Sequence, residues 1–207
     1  MNMDRKELFF TLLDEEFSKE GFKYLKSKNA FVKKEKGNEF VFAFDLWDQF
    51  YMVESKLNVL VGEIESIKKK AWGKLYDKFV SLGRVKSYLI DKPSEGQVLT
   101  DTEDNVRKAV KGEIEFYQTF AKSYYYRALD YKYLDEKLNL NSGEELYLAH
   151  NPIHTSFLAI IVAKLTGNEK SSELFDFYRS IVLKFNEVFI EEYDLLVDYL
   201  KKYKAPR

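Results

Sequence analysis

Val53-Glu54-Ser55-Lys56-Leu57-Asn58-Val59-Leu60-Val61 is the stretch on which the fold turns. Val53, Ser55, Leu57, Val59 and Val61 fall at every second position, with Glu54, Lys56 and Asn58 between them. This alternation puts the two sets on opposite faces of a strand. One apolar and one polar face predicts an antiparallel sheet open to water on one side. After Gly62 the period changes: Ile64, Ile67, Ala71, Trp72, Leu75, Tyr76, Phe79 and Val80 lie three or four apart, which predicts an amphipathic helix ending near Gly83.

Upstream, Leu8, Phe9, Leu12, Leu13 and Phe17 recur at helical spacing from Asp4 to Lys19, and Gly21 is placed to end that helix in a left-handed turn. Phe31 and Val32 open a short strand, and Lys36-Gly37-Asn38 supplies a tight hairpin turn. In the next strand Phe40, Phe42, Phe44 and Leu46 alternate with Val41, Ala43, Asp45 and Trp47, so one face is strongly apolar and needs a helix against it. Val85 to Ile90 reads as a possible fourth strand, closed by Pro93.

Beyond Pro93 the pattern is helical. Thr100 and Glu103 have capping-box spacing, and Val106, Ala109, Val110, Ile114, Tyr117, Phe120, Ala121 and Tyr124 continue an apolar stripe, with a break before Tyr133. Asn139 to Gly143 reads as a loop. Asn151-Pro152 reads as an N-cap followed by a first-turn proline, opening a helix that runs to Gly167. A last long helix begins near Ser171 or Ser172 and carries Leu174, Phe175, Tyr178, Ile181, Val182, Phe185, Val188, Phe189, Leu196 and Tyr199. The fold class is therefore α+β: a small antiparallel sheet of three or four strands packed on helices, then an all-helical C-terminal half.

With 207 residues and no linker-like stretch, the chain reads as a single domain, with a sheet part over 1–92 and a helical part over 100–207. Its 17 Phe and 15 Tyr predict a core built largely from rings. The absence of Cys excludes disulfides, thiolate catalysis and sulfur-ligated zinc. Met1 to Lys6 lacks a signal-peptide pattern and no apolar run is long enough for a membrane span, so the expected location is the cytoplasm, with no membrane partner. The 33 basic and 34 acidic residues leave a net charge of −1, which disfavours nucleic acid as a partner. Charge is uneven locally: Lys19 to Lys36 holds seven lysines, and Glu187 to Asp198 holds five acids and no base.

Three constellations bear on chemistry. Asp45 with Glu54-Ser55-Lys56 resembles the acid, then acid-x-lysine, signature of restriction-endonuclease-like nucleases, in which carboxylates hold a divalent metal. A cross-strand charged pair on a wet sheet face explains the same residues. His150 and His154 stand four apart, but Pro152 between them marks a helix start and no carboxylate completes a ligand set, so no metal or cofactor is expected. Tyr124, Tyr125, Tyr126, Tyr131 and Tyr133 flank Arg127 and Lys132, and one helix cannot bury three consecutive tyrosines on one face. No nucleophile elbow or phosphate-binding glycine loop occurs, and no catalytic residue is assigned.

The opening helix, the Lys19-Glu20-Gly21-Phe22-Lys23 exit, the Phe31-centred strand and the hairpin from Phe40 to Val61 resemble the start of uncharacterised bacterial α+β domains linked to immunity proteins of polymorphic toxins. The resemblance covers about the first 65 residues and implies a binding protein, an immunity or accessory factor whose partner is another protein. The candidate binding residues are Trp47, Asp48 and Tyr51 at the hairpin turn, and Tyr125, Tyr126 and Arg127. The acidic Glu187 to Asp198 face is a second surface, suited to a basic toxin. The other readings are a metal-dependent nuclease using Asp45, Glu54 and Lys56, and a structural or self-associating protein.

Overall fold

Three phenylalanine side chains at helical spacing, Phe9, Phe10 and Phe17, and three more at strand spacing, Phe40, Phe42 and Phe44, must meet, and around that meeting the N-terminal part of the chain is organised. The computed structural model describes residues 4–47, 52–75, 82–85, 97–140 and 151–204. In chain order the described elements are α1 (Arg5–Phe17), β1 (Lys23–Leu25), β2 (Ala30–Glu35), β3 (Asn38–Trp47), β4 (Met52–Leu60), α2 (Gly62–Trp72), β5 (Leu82–Val85) and β6 (Gln97–Leu99). They continue as α3 (Glu103–Phe116), α4 (Lys122–Arg127), α5 (Tyr131–Asp135), α6 (Pro152–Thr166), α7 (Ser171–Phe185) and α8 (Ile190–Lys202). The chain forms two compact units: Met1–Val59 with Arg84–Tyr125, and Leu60–Gly83 with Tyr126–Arg207.

The strands lie in the order β1-β2-β3-β4-β5, with β6 also paired to β4. Pairing of β1 with β2, β2 with β3 and β6 with β4 is antiparallel. The β2–β3 turn is the expected tight one: Glu35 faces Asn38, and Lys36 (φ 49°) and Gly37 (φ 83°) both take the left-handed conformation that matches the twist of a two-residue hairpin. Phe31 stands opposite Phe42 in this register. Helix α1 ends as its sequence predicts, with Gly21 at φ 85° and the Phe22 N–H donating to the Phe17 carbonyl at 3.1 Å.

Phe17 is the hub of this unit. Its ring centroid lies 4.9 Å from Phe31, 5.0 Å from Tyr117, 5.1 Å from Phe42 and 5.6 Å from Phe22. Helices α1 and α3 pack together, and α3 adds Val106, Val110 and Phe116 to the core. The same helix buries Glu113 completely, and its carboxylate accepts a 2.7 Å hydrogen bond from the Ser55 hydroxyl.

In the second unit the decisive element is α6. Every residue from Thr155 to Ala163 is buried, so this helix has no solvent face at all. A helix apolar on all sides has to be surrounded, and α2, α5, α7 and α8 each contact it. Asn151 caps it as the sequence predicts, accepting from the His154 N–H at 2.9 Å, and Gly167 (φ 70°) closes it with Asn168 N–H donating to the Ala163 carbonyl. Buried tyrosine hydroxyls satisfy main-chain acceptors: Tyr178 donates to the Leu138 carbonyl at 2.6 Å and Tyr193 to that of Phe175 at 2.8 Å. At the start of α2 the Glu63 carboxylate accepts from the hydroxyls of both Tyr131 (3.2 Å) and Tyr203 (3.0 Å).

Several expectations change. The sheet has more strands than three or four, because the three-residue β1 and β6 are too short to leave a periodic signal. The polar side of β4 is only partly open to water: Glu54 and Asn58 are buried while Lys56 is part-exposed; β4 has partners along both edges, β5 and β6 included, and so lies inside the sheet. The cap of α3 is Thr102, whose hydroxyl accepts from the Asn105 N–H at 3.2 Å, whereas Thr100 is buried and Glu103 pairs with Arg107 at 2.8 Å. Helix α2 stops at Trp72, followed by a single 3-10 turn to Leu75, and Leu82–Val85, expected to end that helix, forms β5; residues 76–81 lie outside the described residues, as do residues 86–90 of the expected strand Val85 to Ile90. Asn139 and Leu140, expected to open a loop, still belong to the helical segment Glu136–Leu140, and 141–143 lie outside the described residues.

Two outcomes follow. Phe17→Ala removes the ring that joins four others and is expected to lower stability by ~3–5 kcal/mol, read as a shift in urea midpoint at unchanged slope. Burial and then the hydrogen bond to Glu63 raise the Tyr203 phenol to about 12. A raised phenol pKa means that its stabilising contribution is whole below the ordinary value of about 10 and disappears as the pH climbs through about 12. Stability measured across that alkaline window should therefore fall less steeply in Tyr203→Phe than in the parent chain.

Candidate functional site

The strands and helices place the sequence candidates very differently. Trp47 ends β3 with 48% of its surface exposed, while Asp48 and Tyr51 lie outside the described residues. Tyr126 and Arg127 are exposed at the end of α4. Tyr125 is only 3% exposed: its ring stacks against Phe40 at 5.1 Å and Phe22 at 6.2 Å, so it is a core residue and offers no contact surface. Burial pushes its phenol far above the ordinary range, followed by the neighbouring Tyr117 and Tyr124.

Asp45, Glu54 and Lys56 share one face of the sheet by strand parity. Lys56 Nζ donates to Asp45 Oδ1 at 2.7 Å, a cross-strand ion pair, and Glu54 is 8% exposed. Among the described residues no group of three or more His, Asp or Glu side chains is arranged to hold a metal ion. His154 sits in the first turn of α6 with its ring stacked 6.5 Å from Phe157, and His150 lies outside the described residues.

The most distinctive surface is on α7 and α8. The sequence pattern predicts one continuous helix there, with Phe185, Val188 and Phe189 in its buried stripe. Asn186 interrupts it. Its backbone is extended (φ −166°, ψ 103°), its N–H still donates to the Val182 carbonyl, and its side chain accepts from the Val188 N–H at 3.2 Å. It thereby finishes α7 and caps the 3-10 turn Glu187–Phe189 that leads into α8. The break lets the chain fold back and leaves Phe185 overhanging the end of α7, 51% exposed, and Val188 on the turn, 73% exposed. Asparagine, a strong capping residue, was the available signal for this break.

Among the described residues, five of the nine exposed large apolar side chains fall on this hairpin: Phe177, Leu183, Phe185, Val188 and Leu195. The same hairpin carries Glu187, Glu191, Asp194 and Asp198. Beside them a cavity of about 530 Å³ opens between α7 and α8, lined by Ser172, Phe175, Asp176, Arg179, Tyr193, Asp194, Val197, Asp198 and Lys201. The Arg179 guanidinium donates twice to Asp194, Nε to Oδ1 and Nη2 to Oδ2, both at 2.8 Å. This fork-to-carboxylate pair holds the Asp194 carboxyl below its usual range and the Arg179 guanidinium above its own. Burial, and then Asp194, raise the Tyr193 phenol, which stays a neutral donor to the Phe175 carbonyl.

No protein-family model matches the chain, and neither curated proteins nor solved structures give a match.

If these apolar side chains face water, their removal changes little. Val188→Ser and Leu183→Ser are expected to alter unfolding free energy by less than ~0.5 kcal/mol, whereas Val182→Ala, one turn inside the core, should lower it by ~1–3 kcal/mol. Equal losses at all three positions would contradict the exposure of the hairpin.

Proposed function

We propose that the chain is a protein-binding module whose recognition surface is the outer side of the α7–α8 hairpin. The observation that carries this reading is the concentration of exposed apolar side chains on one hairpin, set among carboxylates. An apolar cluster rimmed by polar residues is the ordinary make-up of a surface that another protein covers. The carboxylates of Glu187, Glu191, Asp194 and Asp198 select a partner with a basic rim. A basic toxin domain is a partner of this kind, in keeping with the immunity or accessory role that the resemblance of the N-terminal stretch implies. No helix among the described residues is long and apolar enough to cross a membrane.

The test compares the parent chain with Val188→Asp and Phe185→Asp as bait in lysate of the source cell. The reading requires a stoichiometric basic partner that the parent retains, that raised salt weakens and that both variants lose. Retention of the same proteins by parent and variants would refute it. Concentration-dependent dimerisation of the parent, abolished by Val188→Asp, would instead establish self-association. Mg²⁺-dependent cleavage of nucleic acid, lost in Glu54→Ala, would establish the nuclease alternative.

A further inference from the structure

We infer that the cavity between α7 and α8 receives a lysine or arginine side chain of the protein partner, an assignment that rests on the binding reading above. Its volume of about 530 Å³ is many times the roughly 30 Å³ taken by one water, so it admits a long side chain. The floor is apolar: Phe175 and Val197 are nearly buried, and Tyr193 has its hydroxyl already committed to the Phe175 carbonyl. Such a floor fits a chain of methylenes and leaves no polar group of its own unmet.

The rim has the opposite character. Three carboxylates, Asp176, Asp194 and Asp198, stand against two cations, and those cations are differently engaged. Arg179 is held by Asp194, with Nε and Nη2 each donating to one carboxylate oxygen. Lys201 reaches Asp198 only at 3.9 Å, with both side chains largely in solvent, and such a contact contributes little. Among the described residues Asp176 makes no close salt bridge, and it acts on Arg179 only at longer range. The lining thus holds one more acid than base, and Asp176 and Asp198 are its carboxylates that no close ion pair ties down. A long cationic side chain meets both requirements at once, its stem on Phe175 and Val197 and its head between the two carboxylates.

Helical phase ties the cavity to the exposed patch. Leu183 lies four residues after Arg179 and seven after Asp176, so it continues the same stripe of α7. On α8, Leu195 precedes Asp198 by three and Glu191 precedes Asp194 by three. A partner that covers the apolar side chains of the hairpin therefore reaches the cavity mouth.

The test is a titration of the ¹⁵N-labelled full chain with N-acetyl-arginine amide, N-acetyl-lysine amide and, as the apolar isostere, N-acetyl-norleucine amide. The assignment requires saturable shifts of backbone resonances on α7 and α8 with the two cations, about tenfold weaker binding in Asp176→Asn/Asp198→Asn, and no saturation with norleucine amide. It is overturned by the absence of saturable shifts, by equal affinity in the double variant, or by norleucine amide binding as well as arginine amide. The two readings fail separately. No titration response together with partner loss in Val188→Asp removes the cavity and keeps the surface; a cation response with partner capture unaffected by Val188→Asp removes the surface, and with it the partner's side chain as occupant.

Discussion

Helix α6 has no face that water can touch, and that constraint organises the second unit. From Thr155 to Ala163 every side chain is buried, so the helix is stable only when other helices enclose it. Helices α2, α5, α7 and α8 do so, each turning its apolar stripe inward: Trp72 stacks edge-on against Phe157 at 5.4 Å, and Tyr193 lies 6.0 Å from the same ring. The indole N–H of Trp72 meets the Glu192 carbonyl at 2.8 Å, which ties α2 to α8. Enclosure fixes which sides of α7 and α8 are spent on the core, and so which sides remain outward. The exposed Leu183 and Leu195 stand on those outward sides, where the core has no use for them.

The first unit solves its packing by a different route. There a layer of rings from α1, β2, β3 and α3 interlocks around Phe17, mostly edge-to-face or tilted, which are the arrangements aromatic quadrupoles favour. Beside this apolar layer the buried Ser55 hydroxyl donates to Glu113. The Asp45–Lys56 pair on the opposite face is only partly buried and holds two strands in register at the surface.

Periodicity made most of this legible. The two-residue Lys36-Gly37 turn, the Gly21 and Gly167 helix ends, the Asn151 cap and the ring-rich face of β3 were all written locally, and the α+β class with its helical C-terminal half followed from them. What escaped the sequence was what depends on neighbours. Strands of three residues carry no period, so β1 and β6 were invisible. Glu54 and Asn58 look like residues of a wet face, and their burial depends on neighbours that the local pattern does not name. Phe185 keeps the phase of the α7 stripe, so periodicity assigned it to the core; its exposure follows from Asn186 ending the helix beneath it. Tyr125 carried the opposite error, because three consecutive tyrosines did not say which one the Phe22 and Phe40 rings would enclose.

Burial of α6 commits the inner sides of α7 and α8, the Asn186 break projects apolar side chains from their junction, and carboxylates stand on the same hairpin. Hydrogen–deuterium exchange of the chain, free and with its captured partner, tests this most directly. The account predicts new protection confined to the amides of α7, the Glu187–Phe189 turn and α8, with α6 equally protected in both states. Protection gained instead at the end of β3 around Trp47, or nowhere on the hairpin, would contradict it.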